Sequence, residues 1–380
     1  MESMKIVAIG ALVAVGILSI LLVIQPHQLE HEHEEVSTTY GPGQTRIYYI
    51  AADEVKWDYT PTGINQITGK PFDDVAQIYV KNDNDRIGRV YEKAVYREYT
   101  DDTFTKLKPV SDKWIHLGIL GPAIHAEVGD TIKVVFKNNA RFPFSIHPHG
   151  VFYQKDSEGA PYNDGTNKSG ASVAPGGNYT YIWQVPERAG PGPHDTSSIV
   201  WMYHSHVDEV KDTLAGLVGP IIITRHGEAN PDGTPKGVDQ EFVTMFTIFD
   251  ENNSPYLDYN IKTFAQDPTS VKIDDEDFIE SNKKHSINGY LFGNLPGLQM
   301  KASTHVRWYV LGMGTEGDIH TPHWHGQTLI MNEMRTDMVE LLPMSMKVLD
   351  MYPDNTGTWL YHCHVNDHLT AGMLALFSVN

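Results

Sequence analysis

Ten of the 19 histidines in this 380-residue chain fall in four short clusters, and the only cysteine lies inside one of them. The clusters read "HPHG" (147–150), "HSH" (204–206), "HTPHWHG" (320–326) and "HCHVNDHLTAGM" (362–373). In a strand, side chains two positions apart share a face. Each H-x-H therefore aims two imidazoles at one point: His147 with His149, His204 with His206, His323 with His325, and His362 with His364. Eight imidazoles with no ligating carboxylate and no second cysteine suit copper better than calcium, magnesium or structural zinc.

The same alternation turns Cys363 to the face opposite His362 and His364. It is free to join His320, His368 and a weak axial Met373 in a second kind of site. Two imidazoles, one thiolate and a distant thioether make up the ligand set of a blue copper electron-transfer centre. A zinc site would explain neither the methionine spacing nor the eight paired histidines.

The elements that must hold these residues are strands. "TIKVVFKN" (131–138), "YTYIWQV" (179–185), "GPIIIT" (219–224), "EFVTMFTIF" (241–249) and "HVRWYVLG" (305–312) are rich in β-branched and aromatic residues. Gly, Pro, Asn and Asp separate them, which predicts β-sandwiches. The chain also repeats itself. "FSIHPHG" (144–150) matches "HTPHWHG", and "MYHSHVDEVKDTLAGL" (202–217) matches "LYHCHVNDHLTAGM" (360–373) with a two-residue insertion. The repeat sets Phe144 opposite His320, Ser205 opposite Cys363, Val210 opposite His368 and Leu217 opposite Met373. All four blue-site ligands are thus absent from the first half, while its four paired histidines remain. The turn-rich "RHGEANPDGTPKG" (225–237) divides the halves into expected domains 44–225 and 238–380.

Composition narrows the partners. With 48 acidic against 29 basic residues the net charge is -19, which argues against nucleic acid and is compatible with metal cations. One cysteine permits no internal disulfide. Ile6 to Ile24 is an uncharged apolar run of 19 residues, long enough to span a bilayer as a helix. Lys5 before it predicts a membrane anchor (1–24) with the bulk of the chain on the extracytoplasmic side; cleavage as a signal segment would make the protein secreted. Residues 25–43, with His27, His31 and His33, read as a polar tether.

The four clusters resemble those of the multicopper oxidase family. The resemblance implies an all-β fold of two cupredoxin-like Greek-key β-sandwich domains carrying four copper ions per chain. Carried across, type 1 copper takes His320, Cys363, His368 and Met373. Type 2 copper takes His147 and His323. The type 3 pair takes His149, His204 and His364 on one ion and His206, His325 and His362 on the other. From about Arg46 to Asn380 the chain is most similar to the ceruloplasmin–hephaestin branch, through "GILGPAIHAEVGDTIKVVFKN" and "ESNKKHSINGYLFGNLPGL" among others. That branch is also similar to the A domains of clotting factors V and VIII. Two-domain family members assemble as trimers, each copper cluster lying between the first domain of one subunit and the second of the next.

The resemblance also implies a substrate. In ceruloplasmin-like ferroxidases a carboxylate-rich iron site lies beside type 1 copper. Glu280 and His285 in "ESNKKH", Asp367 before His368, and Glu316 four residues before His320 match it, with Glu316 coming from a neighbouring subunit in a trimer. Asp318 and Glu340 read as ordinary surface acids. The expected reaction joins four one-electron oxidations of Fe(II) to reduction of O2 to water, with His362, Cys363, His364 and Asp367 in the catalytic path. A laccase-like phenol oxidase or Cu(I) oxidase would use the same copper sites. A copper nitrite reductase, with two copper ions per chain, and a non-enzymatic copper store are the more distant alternatives.

Overall fold

The computed structural model describes residues 43–166 and 168–380. The expected anchor and the tether up to residue 42 lie outside the described residues. Among the described residues no helix is long and apolar enough to cross a membrane.

The strand-forming runs of the first half become nine strands: β1 (Thr45–Asp58), β2 (Val90–Tyr99), β3 (Ile124–Glu127), β4 (Thr131–Asn138), β5 (His147–Pro148), β6 (Phe152–Tyr153), β7 (Asn178–Gln184), β8 (Ser198–His204) and β9 (Val218–Thr224). They form a five-stranded sheet, β2-β1-β4-β7-β6, and a four-stranded sheet, β3-β9-β8-β5. The second half adds β10 (Gln240–Asp250), β11 (Lys283–Ile287), β12 (Gln299–Met300), β13 (Val306–Gly312), β14 (Pro322–Trp324), β15 (Leu329–Met331), β16 (Met334–Thr336), β17 (Met346–Met351), β18 (Gly357–Cys363) and β19 (Leu374–Val379). These make a six-stranded sheet, β11-β10-β13-β17-β15-β16, and a four-stranded sheet, β12-β19-β18-β14. The connection between halves is turn-rich, as expected, with a bridge between Ala229 and Pro235.

Each pair of sheets encloses its own core. Strand β4 alternates buried and half-exposed positions, and Ile132, Val134 and Phe136 meet Tyr181 and Trp183 of β7 and Ile221 and Ile223 of β9. Trp308 of β13, Trp324 of β14, Tyr361 of β18 and Phe377 of β19 fill the second core. Strands β9 and β13 are buried at every position. The reason is that their outer faces meet: Val218 and Ile222 pack in one cluster with Val243, Met245, Tyr309 and Leu311. Burial on both faces selects continuous apolar runs such as "PIIIT" and "RWYVLG" over alternation.

A buried ion pair also joins the halves. Lys93 Nζ on β2 lies 2.5 Å from Glu251 Oε1, just past β10, and both side chains are fully buried. Glu251 accepts a second bond from the Tyr59 hydroxyl, and Lys93 donates to the Leu214 carbonyl at 2.6 Å. Removing one member of such a pair strands the other charge in the interior. Lys93→Met is therefore expected to lower stability by about 3–5 kcal/mol, and Lys93→Met with Glu251→Gln by less. Urea unfolding of both variants tests this; a single variant as stable as the parent would contradict it.

Candidate metal centres

Strand β18 ends at Cys363, and that ending positions the first site. The preceding residues are held by β19, with His362 paired to Leu374. The Cys363 N–H donates to the Met373 carbonyl at 3.1 Å, and Met373 N–H to the His368 carbonyl at 3.0 Å. The short helix Asn366–Thr370 thereby folds His368 back against the thiol. Cys363 Sγ lies 3.8 Å from His320 Nδ1 and 3.7 Å from His368 Nδ1, and the two nitrogens are 3.0 Å apart. All three residues and Met373 are buried. A triangle of this size fits one ion with bonds of about 2.0–2.3 Å at its centre. Two nitrogens and one sulfur, with buried Met373 bonded to Cys363 and His368 through the backbone, match copper in its electron-transfer form. Sγ also accepts N–H bonds from Thr321 at 3.4 Å and Val365 at 3.5 Å. Burial pushes the thiol up, so copper binding there must displace its proton.

The eight paired histidines form two groups. In each pair the first histidine closes or lies within a strand and the second lies just beyond it: His149 after β5, His206 after β8, His325 after β14 and His364 after β18. The extended backbone persists far enough to keep both rings on one side. His147 is central to the first group, with ring centres 5.4, 5.5 and 5.1 Å from His149, His204 and His206. His323 is central to the second, 4.8, 5.4 and 5.2 Å from His325, His362 and His364. His149 Nε2 lies 3.0 Å from His204 Nε2, and His325 Nε2 lies 3.0 Å from His362 Nε2. The other ring nitrogen of several is occupied by a carbonyl: Glu158 for His147, Ser205 for His204, Asp337 for His323 and Cys363 for His362. Such contacts fix the ring and leave Nε2 for a metal. Burial lowers His149, His204 and His362 to about 4, keeping them neutral and ligand-competent at pH 7. Every ring contact among these eight stays within its own group.

The matching place in the first half holds no such ligands, and the structure corrects one pairing. Ser205 N–H donates to the Leu217 carbonyl and Leu217 N–H to the Asp212 carbonyl, both at 3.1 Å. These are the counterparts of the Cys363–Met373 and Met373–His368 bonds, so Asp212, not Val210, stands opposite His368. The two extra residues lie before it, and Val210 is left exposed. The Ser205 hydroxyl donates to Asp212 Oδ2 at 2.6 Å, and Val207 and Asp208 N–H groups donate to the same oxygen. Hydrogen bonds fill the space that a metal would take in the second half.

Of the four expected iron ligands, His285 packs against His368, Asp367 adjoins it in the chain, and Glu280 is tied to His285 through Tyr79. Glu280 is the penultimate residue of the helix Glu276–Ser281, and His285 follows on β11. The His285 ring centre lies 5.1 Å from that of His368, and buried His285 Nδ1 has no hydrogen-bond partner. Tyr79, from the first half, donates to Glu280 Oε1 at 2.9 Å, with its ring 5.9 Å from His285. The Tyr79 hydroxyl is pushed up by burial and by the charges of Glu280 and Asp367, which flank it. Burial opposes the charge on Glu280, but bonds from Tyr79 and Lys283 outweigh it and hold the carboxyl below its usual range. Glu316 is exposed.

Sequence reasoning missed Tyr79, which sits in no metal-ligand pattern, and Lys283, which fills a variable position within "ESNKKH". It also misread Asp318, which is 2 % exposed rather than a surface acid and lies 3.3 Å from His320 Nε2. Glu340 is exposed and pairs with Lys347, as expected.

The separation of the sites gives a direct expectation. Cys363→Ser should lower bound copper by one ion per chain and abolish any absorption near the red end of the visible spectrum. Atomic absorption and visible spectra test this; an unchanged blue band would contradict the Cys363 assignment.

Known proteins bear out the family. Two multicopper oxidase family profiles match residues 105–228 and 262–380. Ferroxidase HEPHL1 of Homo sapiens is 48% identical over 342 residues, 88% of this chain and 29% of that protein. Hephaestin of Homo sapiens is 45% identical over 344 residues, covering 89% and 29%. Ceruloplasmin of Mus musculus is 42% identical over 358 residues, covering 93% and 32%. The chain thus spans about a third of the length of these relatives. Among solved structures, a multicopper oxidase aligns with a TM-score of 0.55 at 18% identity, covering 90% of both chains. A blue copper oxidase from Nitrosomonas europaea gives 0.54 at 17%, covering 88% of this chain and 86% of that one. These two likenesses bear on the fold alone, an all-β, cupredoxin-like one. With copper as its cofactor, the chain belongs to the multicopper oxidase family.

Proposed function

We propose that this protein is a ferroxidase, coupling oxidation of four Fe(II) ions to reduction of O2, with four protons consumed and two waters formed. The observation that carries this reading is His285, its ring 5.1 Å from that of His368 and its Nδ1 unpartnered, tied through Tyr79 to Glu280, with Asp367 next to His368 in the chain. Relatives named ferroxidase support it. Type 1 copper is assigned to His320, Cys363, His368 and Met373, type 2 to His147 and His323, and type 3 to His149, His204, His206, His325, His362 and His364. With copper bound, these sites supply one-electron exchange at Cys363 and oxygen reduction at the paired histidines.

The chain's own residues prepare the substrate. Glu280 is held ionised and aimed by Tyr79 and Lys283, and an ionised carboxylate is a hard ligand that favours Fe(III) over Fe(II). His285, lowered to about 4 chiefly by burial, offers a neutral imidazole with an unpartnered nitrogen. Asp367 is bonded through the backbone to His368, so iron and type 1 ligands are neighbours in the chain. Beyond His368, Cys363 is covalently continuous with His362 and His364 of the oxygen-reducing group.

We also propose that 44–225 and 238–380 act as two domains and that three chains assemble, each first histidine group facing the second group of a neighbour. Each group is open on one side: the His206 side chain is 35% exposed and that of His323 19%. A neighbour would also bring Glu316 to the iron group. The apolar run 6–24 supports anchorage with the catalytic part outside the cytoplasm.

Two experiments test this. Glu280→Ala with Asp367→Ala should lower Fe(II) turnover about 10–100-fold, the effect of losing charge-assisted contacts, while phenol-dependent O2 uptake persists; normal iron turnover would overturn the iron assignment. For assembly, His147→Ala/His149→Ala and His323→Ala/His325→Ala chains should each be inactive alone and regain O2 uptake when co-assembled. No recovery, with a monomeric mass near 42.6 kDa, would overturn the shared cluster.

A further inference from the structure

Asp318 lies two residues before His320, in "TEGDIH", and its carboxylate is enclosed by three donors. Oδ1 accepts the Ile248 N–H at 2.6 Å and faces His320 Nε2 at 3.3 Å, and Oδ2 accepts the Thr315 N–H at 2.9 Å. A buried carboxylate without such partners would be costly, and here each partner has a structural consequence.

The His320 contact fixes a tautomer. Nδ1 of this ring is the nitrogen turned to Cys363 and His368, so Nε2 carries the proton and donates to Asp318. A carboxylate behind a metal-binding imidazole orients the ring and makes it a stronger donor. Four of the paired histidines, His147, His204, His323 and His362, take backbone carbonyls in that role, which carry no net charge. The Thr315 contact closes the turn 314–318 on itself. Gly314, at φ +125°, is required there, since a Cβ would stand 2.1 Å from the Asp318 carboxylate. The Ile248 contact ties the turn to β10 at the residue that registers with His285 on β11.

We infer that Asp318 is a positioning residue: it sets the orientation and donor strength of His320, and anchors the type 1 site to the strand pair that carries the iron-binding His285. This rests on the type 1 assignment proposed above. A negative charge one imidazole away from the metal stabilises the oxidised ion, so the neutral residue should raise the reduction potential.

The test is Asp318→Asn in the copper-loaded full chain. Asparagine keeps the shape and an acceptor for the Ile248 N–H, and removes the charge. The expected result is a raised type 1 potential by redox titration, a shifted blue band, and about 10–100-fold weaker retention of one copper ion against a Cu(I) chelator, with the remaining copper unaffected. Potential, band and retention all matching the parent would overturn the inference. Where Asp318→Asn does not accumulate folded, Asp318→Ser carries the same readouts. A parent protein with no blue band would instead overturn the type 1 assignment itself, so the two failures are distinguishable.

Discussion

The two-residue period of an extended chain is the constraint on which the rest depends. Cys363, the last residue of its strand, points into the second core, where it meets His320 and His368. His362 and His364, one residue to either side, point the other way and join His323 and His325. A buried sulfur site and an open imidazole site are thereby held back to back by two peptide units. A one-residue slip of β18 would exchange the two faces and destroy both sites together. The pairing of β18 with β14 and β19 keeps that register.

The two halves show how one backbone frame accepts two chemistries. The bonds Ser205–Leu217–Asp212 and Cys363–Met373–His368 are the same in pattern and nearly so in length. In the second half the enclosed groups are soft or neutral donors suited to a metal. In the first, a hydroxyl and a carboxylate satisfy one another and two backbone N–H groups. The first half so keeps the geometry that presents its four imidazoles without a second redox centre. The halves are then locked by a shared apolar layer and by Lys93 with Glu251, and Tyr79 of the first half bonds Glu280 of the second.

Much of this was legible in the sequence. The five strand runs reappear as β4, β7, β9, β10 and β13 within a residue or two, because apolar runs bounded by Gly and Pro have few other ways to be buried. The histidine groups were legible because a period of two is local. What was not legible depends on tertiary approach. Tyr79 reaches Glu280 across 201 positions, and nothing near "VAQIYVK" marks it. Asp318 looked like any acid in an acidic chain, since its burial follows from the turn closing over it. Val210 was set opposite His368 because an insertion cannot be located within a short match by spacing; two backbone hydrogen bonds locate it.

The central claim is that a thiol site and two separated histidine groups hold copper in different ways, one within a chain and one between chains. Anomalous scattering at the copper edge from crystals of the copper-loaded protein tests it most directly. The account predicts one peak per chain enclosed by His320, Cys363 and His368, and three more between the first histidine group of one chain and the second group of its neighbour. An empty Cys363 site, or copper held by each histidine group alone with no neighbour opposite, would contradict it.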